Sequence, residues 1–301
     1  MSTIITVNSL EQNVGVSSVV LTLSEKINYL TKKNTCILEL DYTNPSFSYI
    51  LEKAPIGYQS IDGLFAFINN ETVVDDSLLN IIDFNKKTFK NSNIDIIYGS
   101  KEGKKFTSSQ LNILIAALRA KYELIIIDFG KEVIPDILID NTDINILVLQ
   151  PSLRYINSLE VNKKDYIHKK TQILINNNSK GNSDINFILK EKFKDTEIIG
   201  QLPTTENLNN TLNKGVINIE KGNYSKNLSK IAIKICLLLS IELKVKNSFI
   251  EKIINKVEER EDDIFIRYDD KELLGEILIK ENICTKEEIE RCLKLQNKKS
   301  L

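Results

Sequence analysis

The sequence predicts an α/β fold: a doubly wound, mostly parallel sheet with helices on both faces, followed by a small C-terminal α-helical hairpin. Three observations carry this reading. Short apolar runs recur through the first two thirds of the chain. Several are continuously apolar rather than alternating, as expected of central parallel strands covered on both sides. Amphipathic stretches lie between them, and strand–helix alternation of this kind marks a doubly wound domain.

Taken in order, TIITV (3–7) predicts the first strand, a loop spans 8–16, and SSVVLTLSEKINYLTKK (17–33) has the spacing of an amphipathic helix. TCILELD (35–41) and NIDIIYG (93–99) predict the next two strands, and SSQLNILIAALRAK (108–121) a second helix. YELIIIDFG (122–130) and INILVLQP (144–151) follow as strands, then NSLEVNKKDYIHK (157–169) as a helix. TQILINN (171–177) and TEIIGQLP (196–203) complete the strands. The most apolar stretch, 231–243, is too short to span a bilayer and contains Lys234 and Glu242, so it reads as a core-facing helix. Right-handed crossovers bring the carboxyl ends of such strands to one edge, where ligands bind.

The alternation stops near residue 246. The expected organisation is a main domain over 1–246, a charged helical linker over 247–269 and a small helical unit over 270–301. In that unit an apolar helix, a turn at Asn282 and the capping box Thr285–Glu288 predict a hairpin.

Composition excludes several classes. Of 301 residues, 42% are hydrophobic and 27% charged, ordinary for a globular protein. The net charge of −1 lacks the basic footprint of a nucleic-acid binder. Cys36, Cys236, Cys284 and Cys292 have no CxxC spacing and read as buried reduced thiols of a cytoplasmic protein. His168, the only histidine, falls in a charged helix-like stretch and reads as a solvated surface residue. No signal peptide is visible.

The loop after the first strand, VNSLEQNVGVSSVV (7–20), has the outline of a phosphate-binding loop. Such a loop needs glycines that let amides approach phosphate, a lysine for the β- and γ-phosphates, and a Ser or Thr hydroxyl for magnesium. Only Gly15 and Ser17 match that chemistry, although a helix N-terminus beginning at Ser17 favours an anion in any case.

With its order of motifs the chain resembles the ParA/MinD family of deviant-Walker P-loop ATPases over about residues 1–245. Against the family loop Lys-Gly-Gly-Val-Gly-Lys-Thr-Thr, this chain reads Glu11-Gln12-Asn13-Val14-Gly15-Val16-Ser17-Ser18. LELDYTNPS (38–46) resembles the second acidic motif, with Asp41 in the place of the catalytic aspartate. YELIIIDFG resembles the Walker B strand, with Asp128 as its acid, and ILINNN (173–178) the strand whose asparagine, here Asn176, recognises the base. ILVLQPS (146–152) and IIGQLPTTENLNNTLNKGV (198–216) resemble further family elements. The resemblance implies ATP or ADP with magnesium as cofactor, held by Asn13, Gly15, Val16, Ser17, Ser18 and Asn176. Ser17, Asp41 and Asp128 would be the magnesium residues.

The departures change the expected chemistry. Glu11 replaces the signature lysine, Val16 replaces the Walker lysine, and Gln12 and Asn13 replace glycines. Phosphoryl transfer depends on positioning and charge stabilisation, so losing both cations argues against hydrolysis and leaves Asp41 and Asp128 vestigial as catalytic residues. The retained residues also have structural readings: Gly15 as a turn glycine, Ser17 or Ser18 as helix caps, Asp128 as a hydrogen-bond acceptor for the loop, Asp41 as a cap.

LLGEILIKENICTKEEIERCLKLQ (273–296) resembles the N-terminal repeat of the GspE/PilB/MshE assembly ATPases, on Leu274, Gly275, Leu278, Ile289, Leu293 and Gln296. Tandem copies bind cyclic di-GMP in some relatives. A single copy with Leu273 in place of arginine argues against that ligand here.

Together these features predict a non-catalytic or weakly nucleotide-binding adaptor for a type IV pilus, secretion or related envelope machine. Its partner would be a protein of that machine. It would be cytoplasmic and brought to the inner face of the membrane by that partner, with no lipid anchor of its own and no nucleic acid bound. A homodimer through the nucleotide face is compatible with the sequence. The alternatives are an ATP-dependent dimerising switch, which needs a lysine from elsewhere such as Lys26, Lys32 or Lys33, and a DNA-partitioning protein.

Overall fold

The computed structural model describes residues 2–51, 59–69, 93–178, 183–204 and 222–244. The chain divides into Met1–Asn247 and Ser248–Leu301. The second unit, with the expected hairpin and with Cys284 and Cys292, lies outside the described residues.

The first unit holds a seven-stranded sheet in the order β3-β2-β4-β1-β5-β6-β7. Its strands are β1 (Thr3–Asn8), β2 (Thr35–Glu39), β3 (Ile94–Ile97), β4 (Leu124–Asp128), β5 (Ile144–Leu149), β6 (Thr171–Asn178) and β7 (Ile198–Pro203). Every pairing is parallel. All seven predicted runs therefore become strands, joined in the doubly wound manner. Central strands are apolar without alternation because both faces are covered. In β1, Ile4, Ile5 and Val7 are all fully buried although neighbours point to opposite sides.

The described helices are α1 (Val16–Thr31), α2 (Phe47–Ile50), α3 (Ile61–Asn69), α4 (Ser108–Lys121), α5 (Asp136–Asn141), α6 (Leu153–Val161), α7 (Lys163–Tyr166), α8 (Ser183–Lys192) and α9 (Asn223–Leu238). Helix α1 packs on β1, β2 and β4 and against α9. The other face carries two clusters. Leu111, Leu114 and Leu118 of α4 meet Cys36, Leu38, Ile125 and Ile127. Ile156 and Leu159 of α6, with Leu189 and Phe193 near α8, meet Leu147, Leu149, Ile173 and Ile175. Cys36 and Cys236 are buried free thiols, as expected.

Local chemistry moved several boundaries. Helix α1 stops at Thr31 because Lys32 turns left-handed (φ 56°) and returns its N–H to the Asn28 carbonyl. Helix α4 starts where predicted, behind a capping box of Thr107 and Gln110. The helix expected over 157–169 is instead α6 and α7, and His168 lies in the turn after them rather than in a helix. Helix α9 begins well before residue 231 and ends at Leu238. Among the described residues no helix is long and apolar enough to cross a membrane.

Candidate functional site

Neighbouring strands β1 and β5 send their chains to opposite faces, β1 into α1 and β5 into α6. Their carboxyl ends therefore open a crevice, the usual ligand position in an open α/β sheet. The loop from Ser9 to Gly15 forms its rim.

Two left-handed residues shape that loop, Asn13 (φ 60°) and Gly15 (φ 91°). Asparagine is among the few side chains that adopt this region readily, so Asn13 can turn where the family loop carries glycine. Gly15 is required twice over. Its φ disfavours a side chain, and a Cβ there would lie 2.5 Å from Asn176 Nδ2. Gly15 is also the N-cap of α1, with no side-chain cap, which corrects the reading of Ser17 or Ser18 as caps. Both serines sit inside the first turn.

Side chains from β6, from the turn after β5 and from α6 hold the loop from outside. Asn176 Nδ2 donates to the Val14 carbonyl at 2.8 Å and Gln150 Nε2 to the Asn13 carbonyl at 3.3 Å. Arg154 pairs with Glu11 at 3.1 Å. From inside, Ser9 donates its amide to the Gly130 carbonyl at 2.8 Å. The amides of residues 11–15 find no backbone acceptor among the described residues. The first amides of α1 lack partners by the nature of a helix start. Paired left-handed turns and a free helix N-terminus together make an anion-receiving concavity.

The concavity is a cleft of about 160 Å³, lined among others by Gln12, Asn13, Ser17, Asp41, Ser46 and Lys131. That is below the ~300 Å³ at the low end of pockets that enclose a drug-sized ligand. It suits a phosphate group better than a whole enclosed nucleotide. Gly15, Val16 and Ser18 line it too. Val16 is buried, with an apolar side chain where the family lysine would stand.

Three carboxylates lie behind and beside the cleft. Asp128, at the end of β4, is fully buried. Its Oδ1 accepts the Gly130 amide at 2.8 Å, and Oδ2 is buried without a hydrogen bond. Burial pushes its pKa up to about 7, and the Asp41 charge adds to the rise. The Ser17 hydroxyl and the Gly130 amide act the other way. Asp41 Oδ1 accepts the amides of Thr43 (3.0 Å) and Asn44 (2.9 Å) in an Asx turn rather than capping a helix, since the N-cap of α2 is Ser46. Gly130 packs so closely that a Cβ would sit 2.0 Å from Asp41 Oδ2.

Glu39 is the third carboxylate, and sequence reasoning missed it. It stands in register with Asp128 on the adjacent strand. Its carboxyl gathers the amides of Ser46 (2.5 Å), Phe47 (2.9 Å) and Gly99 (2.7 Å). Burial and then Asp128 push its pKa up to about 8, against the pull of those amides. It ties the loops after β2 and β3 together, which sets the position of Asp41.

The structure brings Asn13, Gly15, Val16, Ser17, Ser18 and Asp41 to one cleft, with Asp128 behind Ser17. It places Asn176 under the loop as a strut, 3% exposed, with its Nδ2 committed to Val14. The lysines considered as substitutes do not reach the cleft. Lys26 and Lys32 flank the Tyr29 ring and Lys33 pairs with Glu123, all beyond the middle of α1 and away from its N-terminus. Lys131, Gln150 and Arg154 were also missed, because no local pattern marks them. Among the described residues no cluster of three His, Cys, Asp or Glu side chains could hold a metal. A magnesium ion held by Ser17, Asp41 or Asp128 would need further oxygens from a phosphate or water, as that ion ordinarily does.

No protein-family model matches this sequence, and no curated protein sequence matches it. Solved structures do. A ParA family ATPase from Chlorobium tepidum TLS superposes with a TM-score of 0.65 at 15% identity, over 77% of this chain and 99% of that one. The septum site-determining protein MinD from Pyrococcus horikoshii OT3, complexed with Mg-ADP, gives 0.62 at 17% identity over 81% and 100%. An aspartate-to-alanine variant of McdA from Cyanothece, in complex with ATP, gives 0.59 at 14% identity over 81% and 99%. The chain has the fold of the ParA/MinD ATPases.

Proposed function

We propose that this ParA/MinD-fold chain is a non-hydrolysing, weakly nucleotide-binding positioning protein, and that it serves as an adaptor for a type IV pilus, secretion or related envelope machine. One observation carries the reading. The phosphate cradle is present in shape, with free amides and a helix N-terminus, yet its own loop supplies no cation, and Val16 is buried where the lysine would be. Positioning and charge stabilisation are nearly all that phosphoryl transfer asks of a protein, so a cradle without its lysine holds phosphate weakly and does not drive its transfer. The structures of the same fold bound to Mg-ADP and ATP support a nucleoside phosphate as the ligand class.

The adaptor role rests on the resemblance of residues 273–296 to the assembly-ATPase repeat. A protein partner accords with the MinC:MinD complex from Aquifex aeolicus, which shares the fold at a TM-score of 0.53 and 16% identity. Two measurements test the proposal. Phosphate release from ATP with magnesium should stay at background and be the same for Asp41→Ala; turnover lost in that variant would overturn it. Affinity purification of the full chain should recover pilus or secretion assembly proteins and should lose them when residues 270–301 are deleted. Recovery of no such protein would remove the adaptor role, and recovery that survives the deletion would remove the part of residues 270–301 in it.

A further inference from the structure

We infer that Lys131 is the counter-charge of this cleft, supplied from the loop after β4 in place of the lysine absent at position 16, and that the cleft takes a phosphate or phosphate ester against it. The inference rests on the proposed phosphate-binding reading and adds the residue that makes it work. Lys131 is the one cation among the described residues lining the cleft. It forms no ion pair among the described residues, and Glu132 and Glu11 nearby are already engaged. Glu132, its chain neighbour, accepts from Thr43 Oγ1 at 2.5 Å and from Lys105 Nζ at 3.2 Å. Glu11 is paired with Arg154. Asp41 Oδ1 is taken by two backbone amides.

The backbone that carries Lys131 is fixed on both sides. The Gly130 carbonyl accepts from Ser9, and the Lys131 carbonyl accepts from the Tyr166 hydroxyl at 3.0 Å. Gly130, left-handed at φ 55°, turns the chain there. From that fixed backbone Lys131 lines the same cleft as the unpaired amides and the positive end of a sixteen-residue helix. Behind Ser17, the fully buried Asp128 Oδ2 has no hydrogen bond within normal geometry, with only the Ser17 hydroxyl acting on the carboxyl from the cleft side, which is a second sign that the site is incomplete without a ligand. A lysine in this role acts as a point charge, which suits phosphate without fixing its orientation.

The test is calorimetric titration of the full chain with inorganic phosphate, ADP and ATP, each with and without magnesium. The wild type is expected to bind at least one. Lys131→Met should weaken that binding by roughly tenfold or more, the loss of one charge-assisted contact. Lys131→Arg should largely keep it, and adding Val16→Lys to Lys131→Met should restore it. Melting without ligand shows whether each variant is folded; if Lys131→Met is not, Lys131→Gln is read in its place. Wild-type affinity in a folded Lys131→Met or Lys131→Gln variant would overturn the role of Lys131 and leave the proposed function standing. A wild type that binds none of the three anions would overturn both. Binding of phosphate alone would assign a free anion; binding of ADP or ATP only would assign the nucleotide.

Discussion

Glu39 and Asp128 face each other across β2 and β4, buried and in register, with carboxyl pKa values of about 8 and about 7. Both values are raised, so between about pH 4 and pH 8 the folded chain holds protons that the unfolded chain has released. Stability then falls as pH rises through that window, and is fullest below the unfolded carboxyl range. Thermal melting should show Tm decreasing from pH 5 to pH 8, and the isosteric pair Glu39→Gln with Asp128→Asn should flatten that slope. An unchanged slope in the double variant would refute the assignment. Also at this scale, Asn176→Ala leaves the buried Val14 carbonyl without its donor and should cost about 1–3 kcal/mol in chemical denaturation. Gly15→Ala should destabilise as well, since it meets both an unfavourable φ and the Asn176 amide. Gly15 and Ser17 stood out by type and spacing between a strand and a helix, and Asp41 and Asp128 by their resemblance to the family's acidic motifs; the fold brings Asp41 to the cleft and Asp128 behind it. Glu39 and Lys131 were not, because what distinguishes them is a partner, or the lack of one, brought together by tertiary structure.

Among the elements, the strands were the most legible. A segment sandwiched between helical layers has no polar face to interrupt it, so apolar run and strand coincide from β1 to β7. Helix ends were read well only where a local device sets them, as Thr107 and Gln110 do for α4. Thr107→Ala should therefore cost about 1 kcal/mol. The left-handed Lys32 and the break between α6 and α7 have no such local signature, and those limits were misplaced. The loop is held mainly by buried contacts rather than by its surface ion pair. Arg154 is 79% exposed, so Arg154→Ala should shift stability by no more than about 0.5 kcal/mol, well under the effect of Asn176→Ala. A larger loss for the arginine variant would reverse that ranking.

For the whole molecule, the doubly wound order places one crevice at the edge where β1 and β5 part, and there the sequence's loop and its acids converge. The near-neutral net charge of −1 gives no long-range attraction to nucleic acid. DNA binding measured between 50 and 200 mM salt should show no steep salt-dependent affinity, since a chain without net positive charge is expected to neutralise few phosphates. Sedimentation should return one mass with and without ATP, because the loop carries Glu11 and Val16 where the family's lysines would join a triphosphate across two copies.

The bonds from Asn176, Gln150 and Arg154 to the back of the loop have one more consequence. An ordinary nucleotide switch is slack when vacant and taut when loaded, and its companions sense the difference. Here the loop's own carbonyls are already spoken for by Asn176 and Gln150, so moving it means breaking those bonds, and a ligand that leaves them intact alters this edge in charge rather than in shape.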